Sequence, residues 1–155
     1  MLRRNRLKIL PGSADPAPRA RYVLNEQIGF QLRVATQRHN AIFMSRMVGG
    51  LTLTQFSALA KLHEVGPCSQ NQLGRLIYVD AATVKGVVDR LYARGLVMTS
   101  SDSLDRRRRA VVLTDAGRRL TEAALQVSVE IGAVTLAPLS PDEQRKLAGL
   151  LKKIA

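Results

Sequence analysis

Four consecutive arginines, Arg106 to Arg109, form the densest run of charge in this 155-residue sequence. A guanidinium is planar and permanently charged, and its parallel N–H groups match the oxygens of a phosphate or the edge of a base. Asp105 directly precedes the run, and a carboxylate at that position can orient one guanidinium. The segment therefore predicts contact with a polyanion, and a solvated charge run on a surface loop is the alternative.

A second candidate surface lies on a predicted helix that begins at Asp80. Apolar residues recur there at i, i+3, i+4 and i+7, from Val84 to Leu91, which predicts one buried stripe. Small and polar residues occupy the other face, which suits a DNA major groove. An ordinary solvated helix face is the alternative. The residues assigned to this face are Ala82, Thr83, Lys85, Gly86, Asp89, Arg90 and Arg94, and the preceding capping-box sequence adds Ser69, Gln70, Asn71 and Gln72.

The composition also favours an anionic partner. The formal net charge is +12 and the isoelectric point about 11.0, and 18 of the 24 cationic residues are arginines. Residues 1–21 and residues 69–119 each carry a net charge of +5. A polyanionic partner is therefore predicted, with nucleic acid favoured over a membrane surface. No apolar run approaches the ~20 residues that span a bilayer. A generically basic protein is the alternative.

Helices are predicted on both sides of these candidate surfaces. Residues 22–48 follow a near-helical apolar spacing, and a second helix is capped by Thr52 or Thr54 and ends at Gly66. Further helices are predicted from Asp115 to about residue 134 and from Pro141 onward. The residues that recur at this spacing on the first helix are Leu24, Ile28, Leu32, Ala35, His39, Ile42 and Met47, and those expected on the inner face of the second are Phe56, Leu59, Ala60 and His63.

Two short apolar runs at 96–99 and 110–113 flank the charged segment 100–109, which predicts a two-stranded hairpin with a charged tip. The predicted fold is mainly α with a small β-hairpin wing: a winged helix-turn-helix domain with a helical dimerisation region. The first long helix carries more apolar surface than one small domain can cover, which indicates a dimer. The predicted divisions are a flexible basic arm at 1–21, a DNA-binding domain at 49–119, and dimerisation helices at 22–48 and 120–155.

Residues 50–117 resemble the MarR (multiple antibiotic resistance regulator) family. The resemblance rests on LTLTQF at 51–56, VVDRL at 87–91, RGLV at 94–97, and DRR at 105–107 followed by LT at 113–114 and Gly117. It implies a homodimeric repressor on a pseudo-palindromic operator of double-stranded DNA. It also implies that Asp105 and Arg107 are the wing's paired aspartate and minor-groove arginine, with Arg106 and Arg108 beside them. The sequence departs from the family at Met98-Thr99, where a charged pair is usual.

Members of this family commonly respond to small phenolic or aromatic carboxylate ligands, or to oxidants through a cysteine. The resemblance puts His39 and His63 on helices that flank the ligand crevice, and we assign Phe43 and Arg38 to the same effector site. A histidine can donate to a carboxylate or a ring hydroxyl, although hydrogen-bonded core histidines are the ordinary alternative. Cys68 follows Pro67 in a predicted turn, with no cation within two residues, which disfavours a redox role.

Other classes of function lack their sequence signatures. Catalytic motifs such as HExxH, GxSxG or a glycine-rich phosphate loop are missing, and two histidines and one cysteine have no metal-ligand spacing. We therefore expect no enzyme, no cofactor and no metal, and a cytoplasmic location without membrane contact. The alternatives to a ligand-released repressor are a ligand-independent regulator, a regulator that responds to oxidation of Cys68, and a sequence-non-specific architectural DNA-binding protein.

Overall fold

A computed structural model describes residues 22–101 and 109–154 of the chain. A 3-10 turn, Leu24–Glu26, leads into a series of six α-helices and three short strands. The helices are α1 (Ile28–Arg46), α2 (Leu53–Val65), α3 (Gln70–Leu76), α4 (Ala81–Ala93), α5 (Asp115–Leu136) and α6 (Pro141–Ile154). The strands are β1 (Cys68–Ser69), β2 (Val97–Ser101) and β3 (Arg109–Leu113). The fold class is confirmed as mainly helical with a small sheet.

The first helix is shorter than the sequence indicated. Gln27 and Met47 are both extended, so α1 begins at Ile28 and ends at Arg46. Among the residues of α1, only Phe43 is buried within this chain. The apolar residues at the start of the predicted stripe, Leu24, Ile28 and Leu32, are 52%, 68% and 41% exposed. These three apolar residues at the N-terminal end of the described chain are therefore open to solvent.

A complete capping box begins α2. The Thr52 hydroxyl accepts from the Gln55 backbone N–H at 3.3 Å, and the Gln55 side-chain oxygen accepts from the Thr52 N–H at 3.1 Å. Of the predicted inner face of this helix, Leu59 is confirmed as buried and the other three residues are not. The helix packs between α4 and α5 and buries Gln55, Ala58, Leu59 and Leu62. Phe56, Ala60 and His63 are only half-buried at the edge of that face.

The sheet has three strands in the order β1-β3-β2, all antiparallel. In the predicted hairpin, Val97 pairs with Leu113 and Ser101 with Arg109. The third strand was not predicted: Cys68, expected in a turn, pairs with Val111. A two-residue strand has no alternation that a sequence can show, and it forms only because β3 lies beside it.

The core joins the winged region to the long helices. Val84, Leu91 and Leu59 are fully buried in one cluster that also contains Phe43 of α1 and Ile131 of α5. The Thr114 hydroxyl caps α5 by accepting from Gly117 N–H at 3.0 Å, and α5 continues two residues past the predicted end. In the described part of the chain no single helix is long and apolar enough to cross a membrane.

Candidate nucleic-acid interface and effector crevice

The predicted buried stripe of α4 is confirmed, so the orientation of this helix is fixed. Val84, Val87, Val88 and Leu91 are all buried against the core. On the other side, Ala82, Thr83, Lys85, Asp89 and Arg90 are exposed and Gly86 is half-buried. We call these six residues the exposed face of α4. The side chains at its start are small, which allows the backbone of the helix to approach a groove closely.

Two interactions within the helix organise the charges of this face. The Lys85 ammonium lies 2.6 Å from the Asp89 carboxylate, one helical turn away. The guanidinium of Arg90 lies over Gly86, 3.4 Å from the position that a Cβ would take there. A Cβ at position 86 would therefore be in ordinary van der Waals contact with the Arg90 guanidinium, and glycine leaves this part of the face flat.

Asp80 caps the start of α4 with both carboxylate oxygens. One accepts from the Thr83 backbone N–H at 2.7 Å and the other from the Thr83 hydroxyl at 2.9 Å. The hydrogen bonds from Thr83, the backbone one first, lower the pKa of Asp80, which therefore remains a carboxylate at neutral pH.

Arg94, also predicted to contact DNA, is exposed at the other end of α4 and donates to the backbone carbonyl of Gly49. In this structure it joins the end of α4 to the segment between α1 and α2. It lies about 20 Å along the helix from Ala81, at a rise of about 1.5 Å per residue. It is therefore far from the small residues at the start of the exposed face of α4 and one helical turn beyond Arg90, the last residue of that face.

Four residues at the start of α3, Ser69 to Gln72, were predicted to contact DNA, and the structure gives them different roles. Ser69 accepts from the Gln72 N–H at 3.2 Å, which makes it the N-cap, and Gln70 is half-buried. Asn71 and Gln72 are exposed, and Asn71 lines a cleft of about 260 Å³ between α3 and α4. Arg75, which the sequence analysis did not select, lines the same cleft and is exposed. The sequence feature that could have identified Arg75 is its position one helical turn after Asn71, on the polar side of α3.

The wing tip is only partly described. Asp105, Arg106, Arg107 and Arg108 lie outside the described residues, and their roles remain predictions from the sequence. Arg109 is exposed at the start of β3, opposite Ser101. Of the arginine run, the described strands thus place Arg109 alone, at the end of β3 opposite to the end that leads into α5.

Three of the four predicted effector residues meet at the junction of α1 and α5. The Arg38 guanidinium donates to the Thr135 carbonyl at 2.6 Å, and His39 Nδ1 lies 3.0 Å from the Thr135 hydroxyl. That hydroxyl donates its proton to the Ile131 carbonyl at 2.8 Å, so His39 Nδ1 carries the hydrogen and Nε2 is left for another partner. Phe43 continues the cluster, with its ring centroid 6.4 Å from His39.

Phe56 of α2 extends this cluster, since its ring centroid lies 5.8 Å from that of Phe43. From its sequence position Phe56 is predicted in the core and not in the effector site. We call Arg38, His39, Phe43 and Phe56 the aromatic–basic cluster. It combines two apolar rings with a guanidinium and an imidazole.

His63 does not belong to this cluster. Its Nε2 lies 3.7 Å from the carboxylate of Glu122, in the first half of α5. Glu122 and Thr135 are 13 residues apart on one helix, or about 20 Å. The two histidines that the sequence predicts in one site are therefore separate in the structure.

Cys68 is buried in β1, only 5% exposed. Burial raises the pKa of its thiol, and a thiol that remains protonated is a poor nucleophile toward oxidants.

Comparison with known proteins agrees with this arrangement. The MarR family model matches residues 51–108. The HTH-type transcriptional repressor NicR of Pseudomonas putida strain KT2440 is 39% identical over 148 residues, which cover 95% of this chain and 93% of NicR.

Two solved structures are similar over most of their length. A probable transcriptional regulator from Pseudomonas aeruginosa is 53% identical with a TM-score of 0.83, and the match covers 86% of this chain and all of that one. BpsR of Bordetella bronchiseptica, in a structure concerned with regulation of its DNA binding by 6-hydroxynicotinic acid, is 39% identical. Its TM-score is 0.82, and the match covers 87% of this chain and 97% of BpsR.

Proposed function

The chain belongs to the MarR family, and from that premise we propose that a small aromatic or heteroaromatic carboxylate releases it from a pseudo-palindromic operator. It is a DNA-binding transcriptional repressor of the MarR type and not an enzyme. We further propose that the exposed face of α4 enters the major groove and that the wing, with Arg107, enters the minor groove.

The observation that carries the effector proposal is the similarity to BpsR, whose DNA binding is regulated by 6-hydroxynicotinic acid. That ligand combines a flat ring, a carboxylate and a ring hydroxyl. The aromatic–basic cluster offers a partner for each part: the half-buried ring of Phe56 beside the buried ring of Phe43 for the flat ring, and the Arg38 guanidinium for the carboxylate. Because Nδ1 of His39 carries the hydrogen, its Nε2 is an acceptor for the ring hydroxyl. We therefore place the effector at this cluster, and His63 lies outside the proposed site.

The mechanism that we propose runs through Arg38. Its guanidinium ties α1 to the C-terminal end of α5 through the carbonyls of Thr135 and Val134. A carboxylate bound beside Arg38 competes for these donors, because a charged acceptor binds a guanidinium more strongly than a carbonyl does. The angle between α1 and α5 then changes, and with it the distance between two recognition helices that must lie about 34 Å apart. A differential affinity of about 1–3 kcal/mol is enough to shift the population.

The test measures release of DNA by 6-hydroxynicotinic acid, followed by fluorescence anisotropy. The duplex is one enriched from a random pool by the ligand-free protein. The His39→Ala variant should need about tenfold more ligand for half-release, which corresponds to the loss of one hydrogen bond. Its ligand-free affinity for the duplex should stay near that of the wild type.

His63→Ala is the matched control, because that side chain lies near Glu122 at the far end of α5. It should be released from the duplex by 6-hydroxynicotinic acid as the wild type is. A second control is 6-hydroxynicotinamide, which has no carboxylate and should release neither the wild type nor His63→Ala from the duplex. Equal loss of response in both histidine variants would contradict the placement of the site. Failure of 6-hydroxynicotinic acid and a panel of related aromatic acids to release the wild type would overturn the effector class.

A further inference from the structure

The hydroxyl of Thr83 has a fixed hydrogen-bonding role before any DNA is bound. A hydroxyl has one proton to donate and two lone pairs that accept. The proton of Thr83 is donated to Asp80 at 2.9 Å, while the other Asp80 oxygen accepts from the Thr83 backbone N–H at 2.7 Å. Only the acceptor side of the Thr83 hydroxyl is left for a further partner.

This arrangement is stable at neutral pH. The hydrogen bonds from Thr83 lower the pKa of Asp80, so its carboxylate stays ionised and can only accept. Threonine is branched at Cβ, so its side chain occupies few rotamers, and the bond to Asp80 selects one of them. The hydroxyl and the methyl group of Thr83 consequently hold fixed directions.

The position of Thr83 makes this role useful for recognition. The side chain is exposed in the first turn of α4, next to Ala81 and Ala82, whose small side chains let the helix approach a surface closely. In the major groove adenine N6 and cytosine N4 are donors, whereas the guanine and thymine edges offer acceptors and, for thymine, a methyl group. An acceptor held at one point of the groove therefore favours adenine or cytosine on the contacted strand.

We propose that Asp80 is a positioning residue that makes Thr83 an acceptor-only reader of an amino group on a base edge. This inference rests on the placement of α4 in the major groove proposed above. It assigns Asp80 a role in sequence specificity in addition to its role as a helix cap.

The decisive variant is Asp80→Asn. Asparagine caps a helix as well as aspartate does, and its amide oxygen still accepts from the Thr83 N–H. The amide nitrogen, a donor, then takes the place of the second carboxylate oxygen. The Thr83 hydroxyl must accept from it, and its own proton becomes free for the DNA.

The experiment compares sequence preference, base pair by base pair, on the duplex enriched from a random pool and on all its single base-pair variants. In the wild type one position in each half-site should favour adenine or cytosine by about fivefold or more, the low end for one base contact. Asp80→Asn should abolish or reverse the preference at that position alone. The removed negative charge raises affinity for every duplex equally, so it does not alter this readout.

Two variants of Thr83 complete the test. Thr83→Val removes the hydroxyl at nearly constant shape and should lose the same preference, whereas Thr83→Ser should keep it. A folded Asp80→Asn protein with an unchanged preference at every position would overturn the proposal. If α4 does not lie in the major groove, the result is different: substitutions of Thr83, Lys85 and Ala82 would then change the base preference at no position of the duplex.

Discussion

At the scale of single residues, the exposed face of α4 carries an acidic side chain in an otherwise basic surface. Asp89 pairs with Lys85 at 2.6 Å, and both side chains are more than half exposed. Such a pair adds little to stability. The pair matters for DNA binding, because the Lys85 ammonium attracts phosphates less strongly when the Asp89 carboxylate neutralises it. This attraction does not depend on the DNA sequence.

We expect Asp89→Asn to raise the affinity for non-specific DNA by several-fold and to steepen the salt dependence, since Lys85 is then free to contact a phosphate. Anisotropy titrations of a scrambled duplex at several salt concentrations measure both quantities. Glu64→Gln is the matched control: it removes one charge from the equivalent pair with Lys61 on α2, away from the exposed face of α4. An equal increase in both variants would show that net charge, and not Lys85, is responsible.

At the scale of elements, the wing and the long helix α5 meet at Gly117. A Cβ at this position would lie 1.9 Å from the backbone oxygen of Leu96. The same oxygen accepts from the Thr114 N–H at 3.1 Å, and the Thr114 hydroxyl donates to the Gly95 carbonyl at 2.7 Å. The start of α5 is therefore joined to the start of β2 by backbone contact that only glycine permits.

Gly117→Ala should lower the free energy of unfolding by about 1–3 kcal/mol, the usual cost of forcing an extra methyl group into a packed site. Gly132→Ala is the control within the same helix. It has no neighbour within 4 Å of its added Cβ, and alanine there should raise stability by about 0.5–1 kcal/mol. Urea unfolding followed by circular dichroism gives both values. Equal effects of the two substitutions would show that the contact with Leu96 is not tight.

At the scale of the whole molecule, apolar residues at both ends of the described chain are open to solvent. None of the residues of α6 is buried, and Leu150 and Ile154, one turn apart, are 50% and 70% exposed. The first residues of α1 are exposed in the same way. We expect these surfaces to cover each other in a homodimer, as the sequence of residues 22–48 and 120–155 predicts.

Leu150→Asp combined with Ile154→Asp should convert the protein from a dimer to its 17.0 kDa monomer. Buried carboxylates without partners oppose association strongly. Light scattering after size exclusion measures the mass, and operator affinity should fall because one recognition helix then binds one half-site. Val65→Asp, at an exposed apolar position on α2, is the control and should remain dimeric. A double variant that keeps the mass of the dimer would contradict this interface.

The sequence by itself determined the features that depend on neighbouring residues. The stripe from Val84 to Leu91, the Asp80 and Ser69 caps, and the turn at Gly95 are visible because spacing and capping act within a few residues. The helical elements of the winged region and the exposed face of α4 follow from them. These features could be predicted without knowing which residues pack against these helices.

Only the tertiary structure decided which distant residues meet. Cys68 becomes a strand residue because β3 supplies its partner Val111, and the buried face of α2 is set by its position between α4 and α5. The two histidines looked equivalent on their apolar stripes. One meets Thr135 and the other Glu122, about 20 Å apart on α5, since contacts between helices depend on their packing and not on the spacing within either one.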